Sequence, residues 1–554
     1  MKERVNTKAV ASVVVFVSVL ATILVGVSVL AVGDASAVTE TEIHVDTEDD
    51  TAEVEVEFEL TAPGDDGLHY WAVEVDVPDN IRVVSLEDGL GEIEEHEVKD
   101  GTLRFETNTG VARDSETVRM EYVIEGVVVD EFGGSGGLQV VEVSFFGFGT
   151  DAGDVRDDTT RARVTADGTL FTSSPVRGFD VELSADEAVY TGSGSTAVRL
   201  TVGKDGGVYE DYENYAVFGD DADADLSEAD RLYGTVPAAF GFEPSVHKHP
   251  VVVLSDTDYD DEVNEWSDGQ FRSSGVMLFR GSIFEGKDGS GTDTVLHETA
   301  HAYNAEALRW TDVEVGWFDE GTAQYVEFLA DRQRGKSKRQ LFGERRWVRD
   351  DGDTRPLNPR QTPEDLRRYY EEDEEFMRTW SPADGTERRF GYVFSEFAVR
   401  RYVADEGAEA LHQTYDVLLE RDGIHQVTTH DEATTVILNA MGDDVLRPCR
   451  SSLVESEEAF EDCIREVNEM DAVVPSYGDF GGATVVFDGG IYADIGDEEN
   501  RSDEDDDGTG TTDGDETQEE SLLDRIAEAL RGFFDFLRGL IPLEGGILPG
   551  VLAE

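Results

Sequence analysis

The chain has 554 residues and an extreme charge balance, with 123 Asp and Glu against 45 Lys and Arg and a net charge of −78. A surplus of negative charge this large excludes general affinity for nucleic acid, because the protein would repel the phosphates that dominate such binding. Hydrophobic residues make up 39% and aromatic residues 9% of the chain. That content argues against disorder and is enough for roughly two to four folded domains.

Arg is far more common than Lys among the basic residues, with 37 Arg against 8 Lys. Depletion of Lys in favour of Arg, together with abundant Asp, resembles the composition of proteins from extremely halophilic archaea. In molar salt the Debye length falls to about 3 Å, so a surface covered by carboxylates stays hydrated while its self-repulsion is screened. We therefore expect a folded protein that works at high salt.

Residues 1–37 are predicted to be an export segment. Three basic residues precede 9–33, a run of 25 residues without a charge, which is long enough to cross a bilayer. The basic flank places the N-terminus inside the cell, and Ala35-Ser36-Ala37 supplies an A-x-A cleavage site. A cleaved signal peptide and a retained membrane anchor both fit this pattern. Either one predicts an extracellular or cell-surface protein.

The next region, 38–207, alternates apolar and polar residues with a period of two. Clear runs occupy 52–60, 70–77, 118–124, 138–145 and 197–202. Alternating strands separated by Gly and Asp turns predict an antiparallel, all-β, sandwich-like domain. The region holds no clustered His or Cys and no recognisable nucleophile setting, so a supporting or substrate-docking role is expected.

From 208 to 470 the pattern changes to mixed helix and strand, which predicts a mostly helical α+β domain. Helices are predicted at 226–240, 293–307, 389–407, 411–419 and 455–467, and strands at 250–254 and 275–279. The segment 332–349 holds eight basic residues. Two roles are open for it: docking against the protein's own carboxylates, which charge runs more often serve, and guiding anionic substrates.

Three C-terminal segments follow. Residues 471–495 contain a short β-like stretch, and 496–520 form an acidic linker that is predicted to be disordered. Residues 521–554 hold an amphipathic helix and tail with too many charges to span a membrane; it fits the surface of a membrane, a partner or its own chain. The two cysteines, Cys449 and Cys463, fit either one disulfide or two free thiols.

The candidate site is an H-E-x-x-H motif in the predicted helix 293–307. Residues four apart on a helix differ by about 40° in azimuth, so His297 and His301 project from one face. Such a pair is typical of a zinc site. Glu298 lies beside the first histidine, where it can reach a water on the metal without binding the metal itself.

A zinc hydrolase needs a third protein ligand and one open position for water. Glu320 follows His301 after 18 residues, in a W-F-D-E-G-T-A-Q-Y setting, and is the candidate third ligand. Two neutral imidazoles and one carboxylate leave the metal positive, which lowers the pKa of bound water toward about 7 and polarises a scissile carbonyl. Glu298 then acts as general base and general acid.

The pattern H-E-x-x-H-x18-E resembles that of the gluzincin metallopeptidases, which include thermolysin-like enzymes and the zinc aminopeptidases related to leukotriene A4 hydrolase. Their N-E-G-x-A block is similar to the stretch that begins at Asp319. The resemblance covers about 226–419 and implies a thermolysin-like catalytic domain at 208–470 with a Zn²⁺ cofactor. It also implies that Tyr392, near the start of the 389–407 helix, donates a hydrogen bond to the oxyanion, which suits a neutral O–H.

One feature departs from those aminopeptidases. They carry a G-x-M-E-N strand whose Glu holds the free amine of the substrate, and the stretch 275–279 places Leu278 at that position. Without this carboxylate, an endopeptidase or an atypical exopeptidase is at least as well supported as an aminopeptidase.

These observations predict a multidomain, exported zinc metallopeptidase that acts on peptides or proteins, with His297, His301 and Glu320 as zinc ligands. Two rival functions remain. One is a cell-surface adhesion or envelope protein whose zinc site is structural or vestigial, and the other is a zinc hydrolase of a non-peptide substrate. A structural zinc site normally has a fourth protein ligand, often Cys, and neither cysteine lies near the motif in sequence.

Overall fold

An N-terminal β region and a mostly helical C-terminal region make up the part of the chain that the computed structural model describes. This confirms the predicted order of the two regions. The described residues belong to one of two compact units, Met1–Gly496, and the other unit, Asp497–Glu554, contains none of them. They are 28–29, 35–61, 72–77, 80–99, 102–108, 115–132, 137–145, 155–176, 178–204, 207, 210–219, 224–264, 266–285, 290–308, 313, 315–336, 340–343, 347–350, 353–356, 362–372, 375–384, 387–420 and 427–471.

The predicted terminal segments fall largely outside these residues. Of the export segment 1–37, only five residues are described. The β-like segment, the acidic linker and the amphipathic helix that were predicted beyond 471 lie outside them. Within the described ranges, no helix is both long and apolar enough to cross a bilayer.

The β region contains one large sheet and two smaller ones within the described residues. The large sheet has the strand order β14-β15-β12-β2-β3-β9-β5-β6, and the smaller ones are β1-β4-β8-β7 and β10-β11-β16-β13. The strands are β1 Ser28–Val29, β2 Ala35–Asp46, β3 Thr51–Thr61, β4 Ala72–Asp76, β5 Ile81–Asp88, β6 Gly91–Glu92, β7 His96–Lys99, β8 Thr102–Glu106, β9 Ser115–Glu125, β10 Val128–Phe132, β11 Leu138–Phe145, β12 Val155–Ala166, β13 Thr169–Ser173, β14 Phe179–Leu183, β15 Glu187–Gly192 and β16 Thr196–Gly203.

Alternation of residue types decides which face of the large sheet is buried. In β3, Val54, Val56 and Phe58 are buried while the glutamates between them are exposed, as a period of two requires. The pairing is antiparallel as predicted, except that β2 and β12 run parallel, with Thr39 opposite Thr160. Parallel neighbours cannot be joined by a tight turn, so this pairing depends on a long connection that alternation alone does not reveal.

The C-terminal region begins with a five-stranded sheet of order β17-β18-β19-β21-β20. Its strands are β17 Glu210–Asp211, β18 Tyr215–Phe218, β19 His249–Leu254, β20 Gly269–Phe271 and β21 Met277–Arg280, and a hairpin of β22 Trp347–Asp350 and β23 Asp353–Pro356 follows. The α-helices are α1 Ser227–Leu232, α2 Thr235–Phe240, α3 Asp256–Glu262, α4 Ser290–Ala307, α5 Gly316–Gln333, α6 Pro363–Glu372, α7 Arg388–Glu406, α8 Ala410–Leu419, α9 His430–Met441, α10 Arg450–Glu455 and α11 Glu457–Glu469.

One predicted helix is wrong as a single element. The segment predicted as a helix at 226–240 forms two short helices, α1 and α2. Pro237 has no N–H to donate and would clash with the carbonyl of Tyr233 inside one continuous helix. The chain therefore begins a new helix at Thr235, which places the proline in the first turn, where an N–H is not needed.

A buried apolar cluster joins the β region to the five-stranded sheet. Phe171 of β13 packs edge-on against Phe218 of β18, with ring centroids 5.5 Å apart. Leu138 and Val140 of β11 belong to the same cluster as Leu278 of β21. The two regions therefore share core packing in addition to the chain that links them.

Cys449 and Cys463 form a disulfide, with Cα atoms 5.8 Å apart. Both residues are buried beside α10 and α11. Of the two states that the sequence allows, the structure has the bonded one. A bond that closes a loop of this length stabilises a protein by about 3 kcal/mol, because it restricts the unfolded chain.

We expect the double substitution C449S/C463S to lower the free energy of unfolding by about 3 kcal/mol. In a domain of this size, that loss lowers Tm by roughly 6–12 °C, which calorimetry under non-reducing conditions measures. Reduction of the wild-type protein should reproduce the loss, whereas the double variant should not respond to the reductant. An equal Tm for wild type and variant would show that the disulfide does not stabilise the fold.

Candidate metal centre

Helices α4 and α5 pack against each other and bring the three predicted ligands into one buried place. His297 Nε2 lies 3.1 Å from Glu320 Oε2, and His301 Nε2 lies 3.8 Å from the same oxygen. His297 and Glu320 expose only 8% and 7% of their surface. All three groups therefore converge on one point.

The spacing of these atoms suits a metal ion. Ligands about 2.0–2.1 Å from a tetrahedral zinc ion lie roughly 3.3 Å from one another, which is close to both distances to Glu320 Oε2. The ligand atoms of His297, Glu298 and His301 also lie within 4.8 Å of one another. Imidazole nitrogens and carboxylate oxygens are a donor set that zinc commonly takes. The residues present therefore fit the ion.

The other ring nitrogen of each histidine faces a carboxylate. His297 Nδ1 lies 2.7 Å from Glu327 Oε1, and His301 Nδ1 lies 2.7 Å from Asp319 Oδ1. Because an ionised carboxylate only accepts hydrogen bonds, each Nδ1 carries a proton and Nε2 is left as the metal-binding atom. The two carboxylates thus fix the orientation of the rings.

These carboxylates also govern the charge of the imidazoles. Burial lowers the pKa of His301, but Asp319, Glu320 and Glu298 together outweigh it and raise the pKa to about 9. Burial also lowers the pKa of His297, but hydrogen bonds with Glu320 and Glu327 hold it well above its usual value. Zinc binds neutral imidazole, so loading the site at neutral pH releases protons.

Asn304 locks the carboxylate of Asp319 in place. Its Nδ2 donates to Asp319 Oδ1 at 2.7 Å and to Thr322 Oγ1 at 2.9 Å. Its Oδ1 accepts a hydrogen bond from the Tyr415 hydroxyl at 2.6 Å. Because Asn304 is held at both ends, Asp319 keeps its position against His301.

Glu298 lies on α4 next to the first histidine and exposes 6% of its surface. Its side chain lies directly against β20, since a Cβ at Gly269 would be 2.9 Å from Glu298 Oε1. Burial raises the pKa of Glu298, the charges of His301 and His297 oppose this, and the net pKa lies above the usual value. A carboxylate with a raised pKa, held beside metal ligands, is suited to taking up and releasing a proton.

Tyr392 reaches the same point from α7, where its hydroxyl donates to Glu320 Oε1 at 3.2 Å. Burial and the charges of Glu320 and Glu298 raise its pKa well above the usual value, so it stays a neutral donor. The close approach of α5 to α7 depends on Gly321, because a Cβ there would lie 2.7 Å from Ser395 O. The structure thus brings all five predicted site residues together, and their roles remain proposals.

A cleft of about 660 Å³ opens onto these groups. Its lining includes β20, Trp266 and Tyr392 from the C-terminal region, and Ser174 and Pro175 from the β region. The side-chain oxygen of Gln270 on β20 is buried without a hydrogen-bond partner among the described residues. Both regions of the chain therefore contribute to the cleft.

The strand that lines the cleft is not the one indicated by the sequence. Leu278, predicted to replace the amine-binding carboxylate, is fully buried in an apolar cluster with Phe218 and Val252. The cleft is lined instead by β20, the edge strand that pairs with β21. The match of 275–279 to the family's G-x-M-E-N strand is therefore wrong, because sequence order does not show which strand of a hairpin lies at the sheet edge. β20 itself, Gly269–Phe271, carries no acidic residue.

The described part of the basic segment docks against the protein's own carboxylates. Lys336 Nζ lies 3.1 Å from Asp293 and 2.8 Å from Asp331, and Arg334 pairs with the same two residues. Asp293 lies in the first turn of α4. These contacts tie the end of α5 to the start of the helix that carries the histidines, which favours docking over substrate guidance.

No protein-family profile matches the chain, and no curated protein matches its sequence. Among solved structures, the M1 zinc metallopeptidase from Deinococcus radiodurans is similar with a TM-score of 0.33 and 13% identity, over 81% of this chain and 98% of that one. Aminopeptidase A from Legionella pneumophila, in complex with aspartic acid, has a TM-score of 0.32 and 15% identity, over 76% of this chain and 49% of that one. With similarity this low, the geometry of the site carries the functional argument.

Sequence reasoning missed three residues that orient the site: Asp319, which it named only as the start of a motif, and also Glu327 and Asn304. Glu327 follows Glu320 by seven positions on α5, and Asn304 follows His297 by seven on α4. Seven residues are close to two helical turns, so each lies on the same face as a predicted ligand. Helical spacing counted from the ligands could have found both.

We expect Glu327→Gln to weaken zinc binding about 10- to 100-fold, because a neutral amide no longer stabilises the Nδ1 proton of His297. Competition with a zinc chelator measures the affinity. Asp331→Asn is the matched control on the same helix, since Asp331 pairs with Lys336 rather than with a histidine. If both variants bound zinc as tightly as the wild type, Glu327 would have no role in orienting His297.

Proposed function

We propose that this chain is an exported, zinc-dependent metallopeptidase that hydrolyses peptide bonds outside the cell. The proposal is carried by the convergence of His297 Nε2 and His301 Nε2 on Glu320 Oε2 beside an open cleft. Three protein ligands with an open side are typical of a catalytic rather than a structural zinc site. The gluzincin-like motif supports the same conclusion and, with it, a thermolysin-like catalytic domain.

Zinc held by these ligands would polarise the scissile carbonyl and lower the pKa of a water to about 7. Glu298 accepts a proton from the water as the water oxygen attacks the carbonyl carbon. Glu298 then passes that proton to the amine nitrogen as the C–N bond breaks. The close packing of Gly269 against Glu298 Oε1 limits the movement of this carboxylate. The Tyr392 hydroxyl donates to the carbonyl oxygen as negative charge develops there.

The cleft suits a peptide that continues past the scissile bond on its N-terminal side. Asp319 is engaged by His301 and Glu320 by both histidines, and Glu298 is assigned to the proton transfer. Within the described lining, this leaves no carboxylate free to pair with a protonated α-amine. An endopeptidase, or an exopeptidase that does not depend on a free amine, therefore fits best.

The test is digestion of a peptide library at high salt, with matched N-acetylated and free peptides. We expect the wild type to cleave internal bonds in both sets and to lose activity with a chelator. Glu298→Gln should keep its zinc and lose kcat by about 10²- to 10⁴-fold, because the proton acceptor is gone. Full activity in this variant would end the mechanism, and cleavage restricted to free amines would end the proposed specificity.

Tyr392→Phe should lower kcat about 10²- to 10³-fold with little change in KM, because the hydroxyl acts on charge that forms only in the transition state. Zinc affinity should change little. Tyr402→Phe on the same helix is the control, since that hydroxyl bonds Thr414 at 3.1 Å rather than a group in the cleft. A loss of zinc that matches the loss of rate would show that Tyr392 supports Glu320 instead.

The two rival functions predict other outcomes. A structural zinc site needs a fourth protein ligand, and Cys449 and Cys463 are bonded to each other, so neither closes the site. A hydrolase of a non-peptide substrate would bind zinc and leave the peptide library intact.

A further inference from the structure

The turn between β20 and β21 contacts the β region. Two backbone hydrogen bonds close it, Arg272 N–H to Val276 O and Gly275 N–H to Arg272 O, both at 2.8 Å. At its tip, the carbonyl of Ser274 accepts two more hydrogen bonds from side chains far away in sequence. The turn is therefore held from outside as well as from within.

Both outside donors are buried threonines of the β region. Thr172 Oγ1 donates to Ser274 O at 2.9 Å, and Thr201 Oγ1 donates to the same oxygen at 2.7 Å. The two threonines stand opposite each other on the paired strands β13 and β16, with 1% and 0% of their surface exposed. We call this three-residue contact the Ser274 clamp.

The fit at the clamp leaves no room for another side chain. Gly275 has φ +87°, in the left-handed region, and a Cβ there would lie 2.4 Å from Thr172 Oγ1. Only glycine combines this conformation with this approach. On the β-region side, Thr172 also pairs with Val246, and the neighbouring His247 N–H donates to Phe171 O at 2.9 Å. The clamp thus belongs to a set of close contacts between the two regions.

The other end of the same hairpin lies beside Glu298 and the cleft. Gly269 of β20 lies directly against Glu298, since a Cβ at Gly269 would be 2.9 Å from Glu298 Oε1. Gly269 and Gln270 of β20 line the cleft, as does Ser174, two residues beyond Thr172. Among the described strands, β20 pairs with β21 alone, so its position depends on β21 and on the contacts that hold the turn.

We propose that Thr172 and Thr201 are positioning residues of the metal centre: by fixing the Ser274 carbonyl, they hold β20 against Glu298. The inference rests on the proposed peptidase function and deepens it. The β region is then a working part of the site and not a separate module for docking substrates. A displacement of a catalytic group by about 1 Å lowers rates by as much as 10²-fold, so a loosened clamp lowers turnover without removing any residue that touches substrate.

Isosteric variants isolate the two hydroxyl groups. Thr201→Val removes one donor and keeps the volume, while Thr201→Ser keeps the donor. Thr39→Val is the matched control, because Thr39 is a fully buried threonine of β2 whose hydroxyl has no partner among the described residues. If Thr201→Val fails to fold, Thr172→Val, which removes the other donor, is tested in its place.

In the zinc-loaded full chain, we expect Thr201→Val to lower kcat about tenfold and the Thr172→Val/Thr201→Val double variant about a hundredfold. KM should change less, and zinc content should stay the same. Thr201→Ser and Thr39→Val should retain wild-type kcat. Wild-type turnover in Thr201→Val, or an equal loss in Thr201→Ser, would overturn the proposal.

Hydrogen exchange tests the clamp without relying on activity. The backbone amides of 269–271 should exchange faster in Thr201→Val than in Thr39→Val, because β20 is less firmly held. Unchanged exchange of these amides would overturn the proposal even if activity fell. If the wild type cleaved no peptide while exchange at β20 still responded, the proposed function would fail and the hold of the clamp on β20 would be supported on its own.

Discussion

Burial of like charges is the constraint on which the rest of the structure depends. Four carboxylates and two imidazoles meet where α4 packs on α5: Glu298, Asp319, Glu320, Glu327, His297 and His301. Carboxylates withdrawn from water need a compensating charge and fixed hydrogen-bond partners, and a divalent cation supplies more charge in one place than any side chain can. The surrounding packing keeps the cluster in register. Because Gly321 has no side chain, α7 can pack closely against α5. The ion pairs of Lys336 link the end of α5 to the start of α4.

The two regions of the chain are joined close to the candidate metal centre. Ser174 and Pro175 of the β region stand in the wall of the cleft, and Phe171 packs on Phe218 beneath the five-stranded sheet. Separation of the two regions would expose this apolar cluster to water, at about 25 cal/mol for each Å² of apolar surface, and would remove one side of the cleft. The β region thus supports the region that carries the candidate metal centre.

Local spacing along a helix accounts for what could be predicted. His297 and His301 are found by counting residues, because helical geometry converts sequence distance into a shared face. Glu320 lies on the next helix and is found from its spacing after His301 and the residues around it. Tyr392 required a resemblance to known enzymes as well. Leu278 was misplaced because the edge strand of a sheet is decided by tertiary neighbours, which alternation does not encode. The Ser274 clamp had no local signal at all, since Thr172 and Thr201 resemble any other buried threonines in strands.

The parallel pairing of β2 with β12 has a consequence for the order in which the chain folds. His44 and Thr165, which are partners in this parallel pairing, are separated by 121 positions in the sequence. In contrast, a short hairpin joins β2 to β3. Contacts between residues so distant require a long loop to close, and proteins rich in such contacts fold slowly. The large sheet is therefore expected to form as two separate halves, β2-β3-β9-β5 and β12-β15-β14. The pairing of β2 with β12 is expected to form last. Until then the edges of β2 and β12 are exposed, so this step is the one at which chains most readily pair with each other and aggregate.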